Sequence, residues 1–279
     1  MTPPQTLPFL LLAVGVGAGV PAPAGWRSIA DCALLVLVGV TGAGKSTALV
    51  ALDEVGLAHH LLPDRRDLTD RLIISMMQAQ AGLEVTPVQD RKQRFAYTRA
   101  YREQYPGGMA YALSQLWIDP QVLPELLLFD GLRGENEVTH AATLLPSARF
   151  AVLNAPDVVR VSRLAGRGDP FDQIGGATVE NPSLDHIHRF ADIYASAATG
   201  FFSPDEEQVL LELVRSGVTT ASDLRKGLDI VIEERRNYDP AATTAALLAV
   251  APDRTRVVDT VQLNPEAVAR EITELVRGR

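Results

Sequence analysis

The chain has 279 residues, a hydrophobic content of 47% and a formal net charge of -8. That apolar content argues against disorder and suffices for a buried core, while the acidic balance disfavours nucleic-acid or anionic-membrane binding through overall charge. The single Cys32 excludes an intramolecular disulfide framework and fits a reducing compartment, so the expected location is cytoplasmic.

Residues 7–20 form an apolar stretch, followed by Ala22-Pro23-Ala24. A secretory signal needs a positively charged start, and residues 1–6 carry no Lys or Arg. The run is also short for a bilayer. The expectation is an extra helix and loop over residues 1–30, packed on the core, with a cleaved or membrane-associated leader as the alternative. Segment 1–33 is set apart on this ground.

Residues 33–38, Ala-Leu-Leu-Val-Leu-Val, read as a buried parallel strand. Gly39-Val40-Thr41-Gly42-Ala43-Gly44-Lys45-Ser46, then Thr47, fits G-x-x-x-x-G-K-[ST], the phosphate-binding P-loop. Glycines let a backbone turn tightly and bring its N–H groups to phosphate oxygens, and a following helix adds free N–H groups and a positive dipole end. Gly39, Thr41, Gly42, Ala43, Gly44, Lys45, Ser46 and Thr47 are therefore the candidate nucleotide-binding residues. Lys45 is expected to reach the β- and γ-phosphates of ATP, and the Ser46 hydroxyl to ligate Mg2+. Lysine occurs elsewhere only at positions 92 and 226, which sets the loop lysine further apart.

A polar loop with His59, His60 and Asp64-Arg65-Arg66 follows, and the histidine pair is read as incidental. Helical spacing continues over residues 68–80, 90–104 and 109–117. Residues 126–129, Leu-Leu-Leu-Phe, end in Asp130, the pattern of a strand that brings a carboxylate beside a nucleotide's magnesium. Residues 148–153 read as a strand and 157–165 as a helix. Arg160, Arg163 and Arg167 then recur at i, i+3 and i+7, on one helical face. Loop-like glycines surround residues 166–170 and 175–177. Ser203-Pro204-Asp205-Glu206 is a helix start, with Ser203 as cap, Pro204 at the first position and Glu206 completing a capping box. That helix should stop near Gly217, with helices following over 222–236 and 240–250. A late strand at 255–260 and an amphipathic helix at 265–277 close the chain.

Strands alternating with helices imply a parallel sheet covered on both faces. The expected fold is an α/β P-loop three-layer sandwich with a mainly parallel sheet: a core at 34–169 completed by 254–279, and a helical lid or insertion at 170–253.

In order and spelling, these signals resemble the P-loop small-molecule and nucleotide kinases, the adenylate-kinase-like, dephospho-CoA-kinase-like and gluconate-kinase-like group. The resemblance rests on residues 39–47, on Asp64-Arg65-Arg66, on Asp130-Gly131-Leu132-Arg133 with Glu137-Val138, on the arginines of 158–167 and on Val257-Val258-Asp259-Thr260. It covers about 35–170 and 254–279. Nucleoside-monophosphate kinases usually carry a proline in the loop and G-K-G-T; here Thr41 replaces the proline and Ser46 follows Lys45, a spelling nearer gluconate-type kinases and general ATPases. The resemblance implies Lys45, Asp130, Arg160, Arg163 and Arg167 as catalytic residues and Ser46 with Asp130 at the magnesium. Arg65, Arg66, Arg94 and Arg133 are candidates for binding a nucleotide or small anionic acceptor. An ATPase or nucleotide switch acting on a protein partner through 170–253 is the second reading. A helix-turn-helix over 204–236 is the third, weakened by Asp223, Asp229, Glu233 and Glu234 on its second helix.

Overall fold

The N-terminal apolar stretch folds differently from the helix its composition suggests. In the structure, a computed structural model that describes residues 7–166 and 187–278, β1 (Leu10–Ala13) and β2 (Val16–Ala18) form an antiparallel hairpin. Its turn requires the left-handed backbone of Gly15, φ 73°. A side chain at Gly17 would meet the Phe9 ring, with a Cβ only 2.3 Å from it. Glycine weakens a helix interior, and the pairing of β2 with β1 on one side and with a later strand on the other decides for the hairpin. β3 (Arg27–Ser28) follows.

β4 (Ala33–Val38) leads through the 39–44 loop into α1 (Lys45–Glu54). Next come β5 (His60–Leu61), α2 (Arg65–Asp67), a π-helical stretch Leu68–Ile73, α3 (Ile74–Gln80), α4 (Arg91–Gln104) and α5 (Met109–Ser114). The helix expected over 109–117 stops at Ser114. Leu116–Ile118 instead forms β6, which pairs antiparallel with both β2 and β3. Leu116-Trp117-Ile118 suits either a helix end or a strand locally, and the open edges of β2 and β3 decide for the strand.

β7 (Leu126–Phe129), α6 (Gly134–Leu144), β8 (Ala148–Asn154) and α7 (Asp157–Ala165) continue the alternation. α8 (Pro204–Arg215) begins with the expected capping box, Ser203 N–H donating to Glu206 at 2.8 Å. α9 (Ala221–Asn237), α10 (Pro240–Val250), β9 (Thr255–Asp259) and α11 (Pro265–Arg277) complete the chain.

Two sheets result. The antiparallel one runs β1-β2-β6-β3, and the parallel one β5-β7-β4-β8-β9. Counting only the parallel strands in chain order, theirs is 2-3-1-4-5, with β4 at the centre. β4 divides its side chains between two cores. Leu34, Val36 and Val38 face α5, α6, α10 and the antiparallel sheet, whereas Leu35 and Leu37 face α1 and α11. Each such leucine or valine contributes about 1.5–3 kcal/mol by leaving water. Leu247 of α10 belongs to the first of these cores.

A third cluster joins α7, α8 and α9 through Val161, Leu164, Leu211, Leu224, Leu228 and Val231. Gly227 lets α9 lie close on α7, since a Cβ there would stand 3.3 Å from the Val161 carbonyl. Arg167 and the glycine loops expected around it lie outside the described residues, as does the start of the 170–253 segment. Among the described residues no helix is long and apolar enough to cross a membrane.

Candidate functional site

β4 has β7 on one side and β8 on the other, and the chain leaves β4 for the far edge of the sheet. Such a reversal of strand order opens a crevice at the carboxyl ends of the strands. The 39–47 loop lies in that crevice, together with Asp130 and Arg133 after β7, α7 after β8 and Thr260 after β9.

The carbonyls of the loop are all engaged. Lys45 Nζ donates to Gly39 O at 2.7 Å and to Val40 O at 3.2 Å. Arg160 Nε donates to Thr41 O at 2.8 Å, Arg163 Nη1 to Gly42 O at 3.0 Å, and the Thr260 hydroxyl to Ala43 O at 2.9 Å. Gly44 O accepts from the Ala48 N–H at 2.9 Å inside α1. The N–H side is different. Ala43 N–H turns back to Val40 O and Thr41 N–H is bonded to Glu234, whereas those of Gly42, Gly44, Lys45, Ser46 and Thr47 have no acceptor among the described residues. Positive φ at Gly42 (81°) and Gly44 (104°) makes this arrangement possible. A Cβ at Gly42 would also press on the Arg160 backbone at 3.0 Å. With its acceptors tied outward and its donors left over at a helix N-terminus, the loop is a ready anion nest.

It already holds one anion. The buried Glu234 carboxylate accepts from the Thr41 N–H at 3.1 and 3.0 Å and from the Thr41 hydroxyl at 2.5 Å. It also pairs with Arg160, and more loosely with Arg133 at 3.5 Å. Arg160 is 2% exposed and divides its donors among Thr41 O, Glu234 and Asp157, the last at 2.6 Å. Burial, then the charge of Arg133, pushes the Lys45 ammonium down to about 8, against the opposite pull of Asp130 and Glu234. Asp130, partly exposed at the end of β7, makes no hydrogen bond or ion pair with any described residue.

The candidate acceptor arginines fall into two pairs, Arg65 and Arg133 meeting at Glu137 and Arg66 and Arg94 at Asp70. Arg65 forms a bidentate pair with Glu137, both bonds 2.7 Å, and donates to Gly131 O at 2.8 Å, tying the turn after β7 to α6. Arg94 and Arg66 both pair with Asp70, at 2.5 and 3.9 Å. Of the four, Arg133 is the one whose charge acts on Lys45. It also borders an open cleft of about 620 Å³ lined by Arg102, Glu135, His140, Tyr238 and Asp239. His59 is turned to its own chain, with Nδ1 2.8 Å from Leu57 O.

Glu234 and Thr260 are not among the site residues expected from sequence. Thr260 follows the acidic end of the last strand, where the resemblance already points. Glu234 has a signal too: it continues the buried spacing Gly227, Val231, Glu234 of α9, a carboxylate at a core position. In comparison with known proteins, no family model matches this chain and no curated protein does.

Proposed function

We propose that the chain is a P-loop, ATP-binding protein of the kinase-like group that passes the γ-phosphoryl of Mg-ATP to a nucleotide or small anionic acceptor. The observation that carries this is the row of tied carbonyls at residues 39–43 together with N–H groups at 42 and 44–47 that have no acceptor among the described residues. The residues present suit Mg-ATP. The N–H groups and Lys45 would hold phosphate oxygens, and Ser46 and Asp130 supply two oxygens for magnesium. That ion is ordinarily held by one or two carboxylates together with phosphates, so no all-protein cage is required. When bound, Mg-ATP supplies the transferable phosphoryl group, with the metal neutralising its charge.

Arg133 lines the 620 Å³ cleft and its charge acts on Lys45, which suits a guanidinium that would contact both donor and acceptor. Arg160 and Arg163 act on the loop's carbonyls and keep its N–H groups turned inward. The strand order, with β7 and its terminal Asp130 beside β4, also supports the kinase-like reading and a three-layer P-loop sandwich. In that reading 34–169 and 254–279 form the core together with α10, which packs on it through Leu247, and the helical lid or insertion is confined to the part of 170–253 that precedes α10.

ADP release from Mg-ATP tests this, run without acceptor and against nucleoside monophosphates, dephospho-CoA and sugar acids. ADP that appears only with one acceptor, and is lost in Lys45→Ala, is the expected result. An unchanged rate in that variant rejects the site. One observation favours a second reading, an ATPase or nucleotide switch with a protein partner: the contact of Glu234 couples the loop directly to α9. That reading expects ADP release independent of any acceptor.

A further inference from the structure

Glu234 is an acid held by the donors of a loop suited to phosphate. Its carboxylate meets the N–H and hydroxyl of Thr41, a guanidinium edge of Arg160 and, at 3.5 Å, Arg133. The N–H groups of Gly42, Gly44, Lys45, Ser46 and Thr47 remain without an acceptor among the described residues. Lys45, the side chain that reaches the β- and γ-phosphates in such loops, feels the charge of Glu234. The carboxylate therefore occupies the donors of Thr41, while those of Gly42 and of residues 44–47 are left for a ligand.

We propose that Glu234 sets which nucleotide the loop accepts: with Glu234 latched the site takes a nucleoside diphosphate, and a triphosphate binds only by displacing the carboxylate. This rests on the phosphate-binding reading of the loop. A diphosphate uses the free N–H groups and leaves the Thr41 contacts intact. A third phosphate brings negative charge against a buried carboxylate and competes for the same donors. Once displaced, Glu234 leaves Arg133 and one edge of Arg160 available to that phosphate, while Asp157 still holds the other edge of Arg160. α9 then loses the polar anchor at the end of its buried face and keeps the packing of Gly227 and Val231 on α7.

The test is binding of Mg-ADP and of a magnesium-bound non-hydrolysable ATP analogue to the full chain and to Glu234→Gln, with amide hydrogen exchange followed across 221–237. The wild type should prefer the diphosphate. Glu234→Gln should bind the triphosphate about tenfold or more tightly while the diphosphate changes by less than about threefold, the scale of a lost charge-assisted hydrogen bond. In the wild type, the triphosphate and not the diphosphate should speed exchange in α9. Equal changes for both nucleotides, or weaker triphosphate binding in the variant, would overturn the proposal. If Glu234→Gln does not fold, Thr41→Val, which removes one latch donor, should shift the ratio in the same direction by a smaller factor; an unchanged ratio overturns it. Failure of both nucleotides to bind the wild type rejects the phosphate-binding reading itself, and this proposal with it.

Discussion

α7 and the end of β7 present charged residues to the same loop and use them in opposite ways. On the α7 side, Arg160 and Arg163 commit their donors to Thr41 O, Gly42 O, Thr260, Asp157 and Glu234. On the β7 side, among the described residues, Asp130 has no hydrogen-bond or ion-pair partner and the Arg133 guanidinium has only a 3.5 Å pairing with Glu234. Residues that are buried and fully paired fix the shape of a site, and those left partly exposed and underpaired beside it are free to meet a ligand. Architecture and chemistry thus fall on opposite sides of one crevice.

Substitutions on the two sides can break that division. Arg160→Ala should cost about 3–5 kcal/mol of stability in denaturant unfolding, because Glu234 is left buried beside fewer positive donors. A loss as small as that of a surface substitution would show that the α7 side is not structural. Lys45→Ala should lower turnover roughly a hundred- to a thousandfold, the scale of removing one preorganised donor to developing charge. Asp130→Asn should reduce turnover about tenfold or more yet leave the unfolding free energy within about 0.5 kcal/mol of the wild type, since it breaks no contact. A large stability loss there would place Asp130 with the architecture.

The smallest effect is that of pH. The Lys45 ammonium titrates at about 8 in the folded protein, below its ordinary 10.5. Phosphate binding favours the charged form, so affinity for Mg-ATP is full below that pH and falls above it. Between about pH 7 and 9 the expected weakening is roughly tenfold, and Lys45→Arg should flatten the profile. For stability the sign is reversed. Between about 8 and 10.5 the unfolded chain holds more protons at this residue than the folded one, so its contribution to stability rises with pH.

The continuous apolar strands β4, β7 and β8 are legible in the residue order alone, as are the Ser203 capping box and the amphipathic closing helix. In each, the deciding interactions lie within a few residues of sequence. The hairpin at 10–18 and the strand at 116–118 are not legible in that way. β6 finds its partners about a hundred residues back along the chain, and the apolar content of both segments suits either state. Within the site, Lys45, Ser46 and the loop glycines are visible as one contiguous motif. The helical spacing of Arg160 and Arg163 points them at a phosphoryl group and gives no sign of their engagement with the loop carbonyls. Glu234 is set apart in sequence only by its place on the apolar spacing of a helix that carries several other acids, and nothing there names its partner.

The amino-acid order by itself determined the glycine-rich turn between a buried strand and a helix, and the acid at the end of a second strand. These follow from backbone freedom and local hydrophobic pattern. Only the tertiary structure decided which charges are neutralised and which are left for a ligand. That depends on burial and on partners brought from 119 and 193 residues away, as for Arg160 and Glu234 at Thr41, and such partners meet only once the chain has folded.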